Sequence, residues 1–176
     1  MSLISSMNPT APINTRPEAI AAARASAIAI FIGVAWGIVG VIYLATAGSA
    51  VMEAALADAA AQNPDAAGMS GMAGLMTGAA IGTGIFIVII QLVLGLVQWF
   101  KPNIVIPILF TVLVVYGVGS TLLGLTMVNE EVAGANPMWF TVLGLVVLVV
   151  ELVLHIAGIR GANALNKMNK AEQAAY

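Results

Sequence analysis

Cysteine is absent from this chain, and charge is scarce. Without a thiol there is no disulfide, no thiolate metal site, no cysteine nucleophile and no dithiol redox chemistry. Charged residues make up 8% of the 176 positions. A soluble domain carries about 25%, so the composition excludes a soluble fold. Histidine occurs once, too few for the paired axial ligands of a bis-histidine haem. No basic patch interleaved with aromatics is present, which argues against nucleic acid as a partner. Nor is there a P-loop, a nucleotide-binding glycine fingerprint, a nucleophile elbow or a zinc-ligand pair. The expectation is a protein without catalytic activity, cofactor or metal.

What is abundant is hydrocarbon. Hydrophobic residues make up 61% of the chain and the mean hydropathy is +1.03. They gather into four apolar segments, at about residues 25–47, 74–100, 103–128 and 138–160. Each reaches the roughly 20 residues that a helix needs to cross a bilayer. All six basic residues lie on one side of these segments: Arg16 and Arg24 before the first, Lys101 between the second and third, and Arg160, Lys167 and Lys170 after the fourth. Glu53, Asp58 and Asp65 follow the first segment, and Glu130 and Glu131 follow the third. Lys and Arg mark the cytoplasmic side. The expected fold is therefore an all-α, polytopic membrane protein, an antiparallel bundle of four transmembrane helices with both termini cytoplasmic, in the inner (plasma) membrane.

Residues 1–14 are polar, proline-containing and unpatterned, and read as a mobile cytoplasmic tail. The membrane domain spans 15–161, and 162–176 form a second cytoplasmic tail, in which Leu165 and Met168 suit a helix on the inner leaflet. Thr15 with Glu18 forms a capping box with Pro17 in the first turn, so a helix starts there and runs into the first span. Ala45-Thr46-Ala47 has the form of a signal-peptidase site, but the apolar stretch before it exceeds the usual h-region. Residues 51–61 suit a short outer helix, ended at Asn63-Pro64-Asp65. Pro102 and Asn103 make a tight turn, Pro107 suggests a kink in the third span, and Asn136 caps the fourth with Pro137 at its first position. Gln98-Trp99-Phe100-Lys101 and Trp139 are interfacial anchors.

Three groups of residues could carry function. Gly74, Gly78 and Gly82 in the second span, and Gly33 and Gly37 in the first, repeat every four residues, which sets them on one helix face where another backbone can approach. That contact is either internal to the bundle or between subunits. On this reading Gly78, within the repeat, tolerates a bulky side chain less well than Gly95, outside it. The second group is centred on Glu151, roughly 13 Å from the cytoplasmic edge and about 18 Å from the outer one at 1.5 Å per residue. An acid at that depth does not face lipid. His155 lies one turn on, on the same face. Gln91 and Thr111 stand at the same height, about 12 Å above the inner edge. These predict a polar layer of Gln91, Thr111 and Glu151, with His155 below and Tyr116 above. It serves either as a hydrogen-bonding peg or as a proton or cation relay. The third group is Met69, Met72 and Met76, thioethers that suit Cu(I) but serve equally as flexible apolar filler.

These observations describe a membrane subunit that acts by self-association or within a larger membrane complex. The alternative is a small oligomeric proton- or cation-coupled carrier or channel using Glu151 and His155. The topology is checked by single-cysteine labelling in the naturally cysteine-free background. Impermeant reagent outside intact cells should modify cysteines at positions 60 and 130 and spare those at 101 and 170. Labelling at 101 would overturn the orientation.

Overall fold

A computed structural model describes residues 7–63, 71–127 and 137–175. Among them are four helices: α1 (Arg16–Gln62), α2 (Ala73–Phe100), α3 (Val105–Met127) and α4 (Met138–Ala174). All four are long and apolar enough to cross a membrane. Asp65, Met69, Glu130, Glu131 and Asn136 lie outside the described residues.

The local signals explain most helix boundaries. Thr15 Oγ1 accepts from the Glu18 N–H at 3.4 Å, and the Glu18 carboxylate accepts from the N–H groups of Thr15 and Asn14 at 3.1 and 2.9 Å. Those bonds, the one from Asn14 foremost, hold the Glu18 carboxyl below its ordinary pKa. At the α2–α3 turn, Asn103 Oδ1 accepts from the N–H groups of Val105 and Ile106, both at 3.0 Å. Pro107 falls in the first turn of α3, where a missing N–H breaks no bond, so the turn needs no kink.

Four expectations change. No separate outer helix forms at 51–61, because α1 runs unbroken from Arg16 to Gln62 through a stretch rich in alanine, the best helix former. Pro137 is the N-cap of α4, not its first residue. The same helix continues through the expected second tail to Ala174. The first tail is tied to α4, where Arg160 donates to the Ala11 carbonyl at 3.1 Å, and the start of α1 meets its far end, where Arg16 pairs with Glu172 at 2.8 Å.

Helix α1 is the axis of the structure: α2 and α4 pack along it, and α3 leans on α4. The basic residues collect at one end, where the start of α1 meets the end of α2 and the last third of α4. We call this the basic end and the opposite one, with Glu53 and Asp58, the acidic end. At the basic end α1 and α4 touch through small residues. A Cβ on Gly158 would collide with Ser26, and one on Gly161 with the backbone of Ala22 and Ala23. Ala19, Ala22, Ala23, Ser26 and Ala162 are buried there, while Ile85, Phe86, Ile89, Val112 and Tyr116 are exposed. Small residues inside and large apolar ones outside invert the distribution of a water-soluble protein and match helices that associate within lipid.

The α1–α2 contact is regular. A Cβ on Gly95 would stand 2.7 Å from the Phe31 ring, on Gly37 2.8 Å from a Val88 methyl, on Gly84 2.9 Å from a Val41 methyl, and on Gly48 3.0 Å from the Thr77 methyl. Glycine on one helix thus receives a side chain from the other, with the helices running in opposite directions. Gly37 belongs to this contact, whereas Gly33 meets Glu151 of α4. Gly74, Gly78 and Gly82 take no part in this contact: among the described residues nothing lies within 4 Å of a Cβ on any of them. Four-residue spacing identifies a face but not which way it turns.

The expected order of sensitivity is therefore reversed. Gly95→Ile should cost about 1–3 kcal/mol, the usual cost of overpacking, whereas Gly78→Ile should leave the fold of a single chain unchanged. Unfolding in mixed micelles, dilute enough to hold one copy each, measures both. Equal losses in the two variants, or a silent Gly95→Ile, would show this contact to be wrong.

Candidate functional site: a buried acid beside an apolar cleft

Five polar side chains are buried among the described residues, Ser26, Thr77, Gln98, Glu151 and His155, and the three largest differ in how fully they are satisfied. Nearest the basic end is Gln98, fully buried. Its Nε2 donates to the carbonyls of Ala23 (3.1 Å) and Asn103 (3.2 Å), and its Oε1 accepts from the Asn103 N–H (3.3 Å). One side chain thus ties α1, α2 and the α2–α3 turn together. Beside it, Arg24 Nε donates to the Trp99 carbonyl at 3.1 Å with its guanidinium 5.1 Å from the centre of the Trp99 ring. Sequence reasoning placed Gln98 only among the interfacial anchors. Its glutamine identity, next to a turn with spare backbone groups, was the available signal.

His155 comes next, also fully buried. Nδ1 lies 2.8 Å from Ser26 Oγ, and the ring stacks on Phe110 at 5.6 Å and 26°. Nε2 has no partner among the described residues. The tautomer with Nδ1–H donating to Ser26 leaves only a lone pair unmatched, and avoids burying an unpaired N–H.

Glu151 is one turn away on α4 and only 7% exposed. It meets α1 at Gly33, where a Cβ would stand 2.8 Å from Oε1; the glycine makes room for the carboxyl. No hydrogen bond or ion pair to Glu151 occurs among the described residues, where the one salt bridge is Arg16–Glu172. The carboxyl lines a cleft of about 490 Å³. Gly33, Gly37 and Gly40 of α1 form its floor. Gly84, Val88 and Gln91 of α2 and Phe140, Leu148 and Glu151 of α4 form its walls. The cleft exists because α2 and α4 both lie on α1 and scarcely touch one another. At its acidic end Phe140 stacks with Trp36 (4.8 Å, 28°) and with Tyr43 (4.9 Å, 23°), and Trp139 meets Phe140 edge-on at 5.7 Å.

Of the expected polar layer, the structure brings Glu151 and Gln91 to one cleft and leaves the others apart. Thr111 Oγ1 donates to the Pro107 carbonyl of its own helix at 2.7 Å. Tyr116 is 74% exposed and points away from the helices, because height along a helix says nothing about azimuth. His155 faces Ser26, not the cleft. Met72 is exposed, and no cluster of three His, Asp or Glu side chains able to hold a metal occurs among the described residues.

No family model, curated protein sequence or solved structure matches the chain.

The two glutamines of α2 should respond differently. Gln98→Leu strands the Asn103 N–H, removes the bond across to the Ala23 carbonyl, and should cost about 1–3 kcal/mol. Gln91→Leu breaks no bond among the described residues and should stay within about 0.5 kcal/mol of the parent. Unfolding in SDS compares them, and a larger loss at Gln91 would contradict this assignment.

Proposed function

We propose that this chain is a non-catalytic integral protein of the inner membrane, an antiparallel four-helix bundle with both termini cytoplasmic, that acts by association. It works as a homo-oligomer or as an accessory subunit of a larger membrane complex. The observation that carries this reading is the open glycine row on α2. Gly74, Gly78 and Gly82 present bare backbone at the surface with nothing against it among the described residues, whereas Gly37, Gly84 and Gly95 each receive a side chain of the neighbouring helix. Close backbone approach is the main source of helix affinity in lipid, where burial of apolar surface drives nothing.

Glu151 favours a second reading, an oligomeric cation-coupled carrier or channel. A carboxyl buried at that depth without a partner is costly, and the cleft gives it access to a ligand. A relay including His155 has less support, because the imidazole is engaged with Ser26 and Phe110 outside the cleft.

Native mass after mild solubilisation tests association. The parent should run as several copies or with co-purifying chains, and Gly78→Ile should reduce that mass while its single-chain fold persists. A parent of single-chain mass, both in mild detergent and in native-lipid nanodiscs, overturns the proposal.

A further inference from the structure

We infer that the cleft between α2 and α4 binds a lipophilic organic cation, whose charge sits at the Glu151 carboxylate and whose apolar body lies against the glycine floor and the Trp36–Phe140–Tyr43 rings. This deepens the carrier reading by naming its ligand class, but the site needs neither transport nor a second copy.

Size is the first argument. A volume of about 490 Å³ falls within the range of about 300–1,000 Å³ usual for small-molecule pockets. The cleft is also long: Phe140 and Glu151, both on its lining, are eleven residues apart on one helix, roughly 16 Å at 1.5 Å per residue.

The second argument is chemical. Among the lining residues Glu151 is the one ionisable acid, and no Lys, Arg or His accompanies it. It is more than nine-tenths buried, unpartnered among the described residues, and faces into the cleft. A buried charge without a counter-charge is unfavourable, so a cation is the ligand whose binding removes the deficit.

The third argument excludes other cations. Ca²⁺ and Mg²⁺ need about six oxygen ligands or retained water, whereas the side chains of the lining supply one carboxylate, the Gln91 amide and the Tyr43 hydroxyl among mostly apolar groups. An alkylated or aryl-substituted cation brings its own apolar shell and needs no oxygen cage. Aromatic faces also attract such a cation through the ring quadrupole. Anions meet the wrong charge, and a neutral acyl chain fills the cleft without answering Glu151.

A pair of ions with matched size and opposite charge tests this. Tetraphenylphosphonium and tetraphenylborate are titrated against the full chain in detergent at mildly alkaline pH, with thermal unfolding recorded for each variant. The cation should bind at least about tenfold more tightly than the anion, a difference of about 1.4 kcal/mol. Glu151→Gln keeps the shape of the side chain and removes the charge, so the preference should collapse. Gly40→Leu fills the cleft without touching the acid, since nothing lies within 4 Å of a Cβ at Gly40; it should weaken the cation at least about tenfold. Equal affinity for the two ions in the parent would show a cleft filled like lipid and overturn the inference. So would a cation preference that survives both substitutions, which would place the site elsewhere. Neither outcome alters the native mass on which the association reading rests.

Discussion

The approach of α1 to α4 at the basic end is the constraint on which the rest depends. Gly158 and Gly161 let the backbone of α4 come against Ser26, Ala22 and Ala23 so closely that a single added methyl has no room. Such a contact fixes both the separation and the rotation of the two helices. It turns His155 onto Ser26 and sets Glu151 opposite Gly33. Farther along, Trp36, Tyr43 and Phe140 stand between the same helices. Small residues at one end and rings at the other hold α1 and α4 closely where the chain is small and apart where it is bulky.

Gln98, His155 and Glu151 follow this gradient. Gln98, in the tight region, has backbone partners on α1 and at the turn. His155, slightly deeper, has one hydrogen bond and one unmatched nitrogen. Glu151, where the helices begin to separate, has none among the described residues, but it has space in front of it. Satisfied polar groups secure a fold. An unsatisfied one beside an empty volume is where a ligand gains most, and this distinguishes Glu151 from the other two.

Much of the architecture was legible in the sequence because it is governed by local chemistry. The capping box at Thr15 and Glu18, the turn at Asn103 and the stop at Asn63 all depend on residues within a few positions of one another. The continuity of α1 through residues 51–61 was missed because a charged, alanine-rich stretch reads as a surface element whether or not it joins the preceding helix. The company of Glu151 was legible in part: counting residues put Gln91 in one layer with it, and both line the cleft. Azimuth was not. Counting cannot tell that Tyr116 faces out, that Thr111 bonds to its own helix, or that Gly95 rather than Gly78 meets a neighbour. Those outcomes depend on how helices rotate against each other, which here is set by glycines and alanines whose influence lies in the side chains they lack.

The α1–α2 register has a consequence for how such a chain can vary. Its contacts fall at Phe31, Gly37, Val41 and Gly48 on α1 and, in reverse order, at Gly95, Val88, Gly84 and Thr77 on α2. The intervals are close on the two helices, 6, 4 and 7 residues along α1 against 7, 4 and 7 along α2, so each glycine has one counterpart. One residue inserted between Thr77 and Gly95 turns everything beyond it by about 100°, which sends side chains into helix backbone and glycines into empty space. Substitution at the outward-facing positions disturbs none of this, and neither does lengthening the segments that join α1 to α2 or α3 to α4. Related chains should therefore differ freely in surface composition and loop length while keeping the number of residues between these contacts constant.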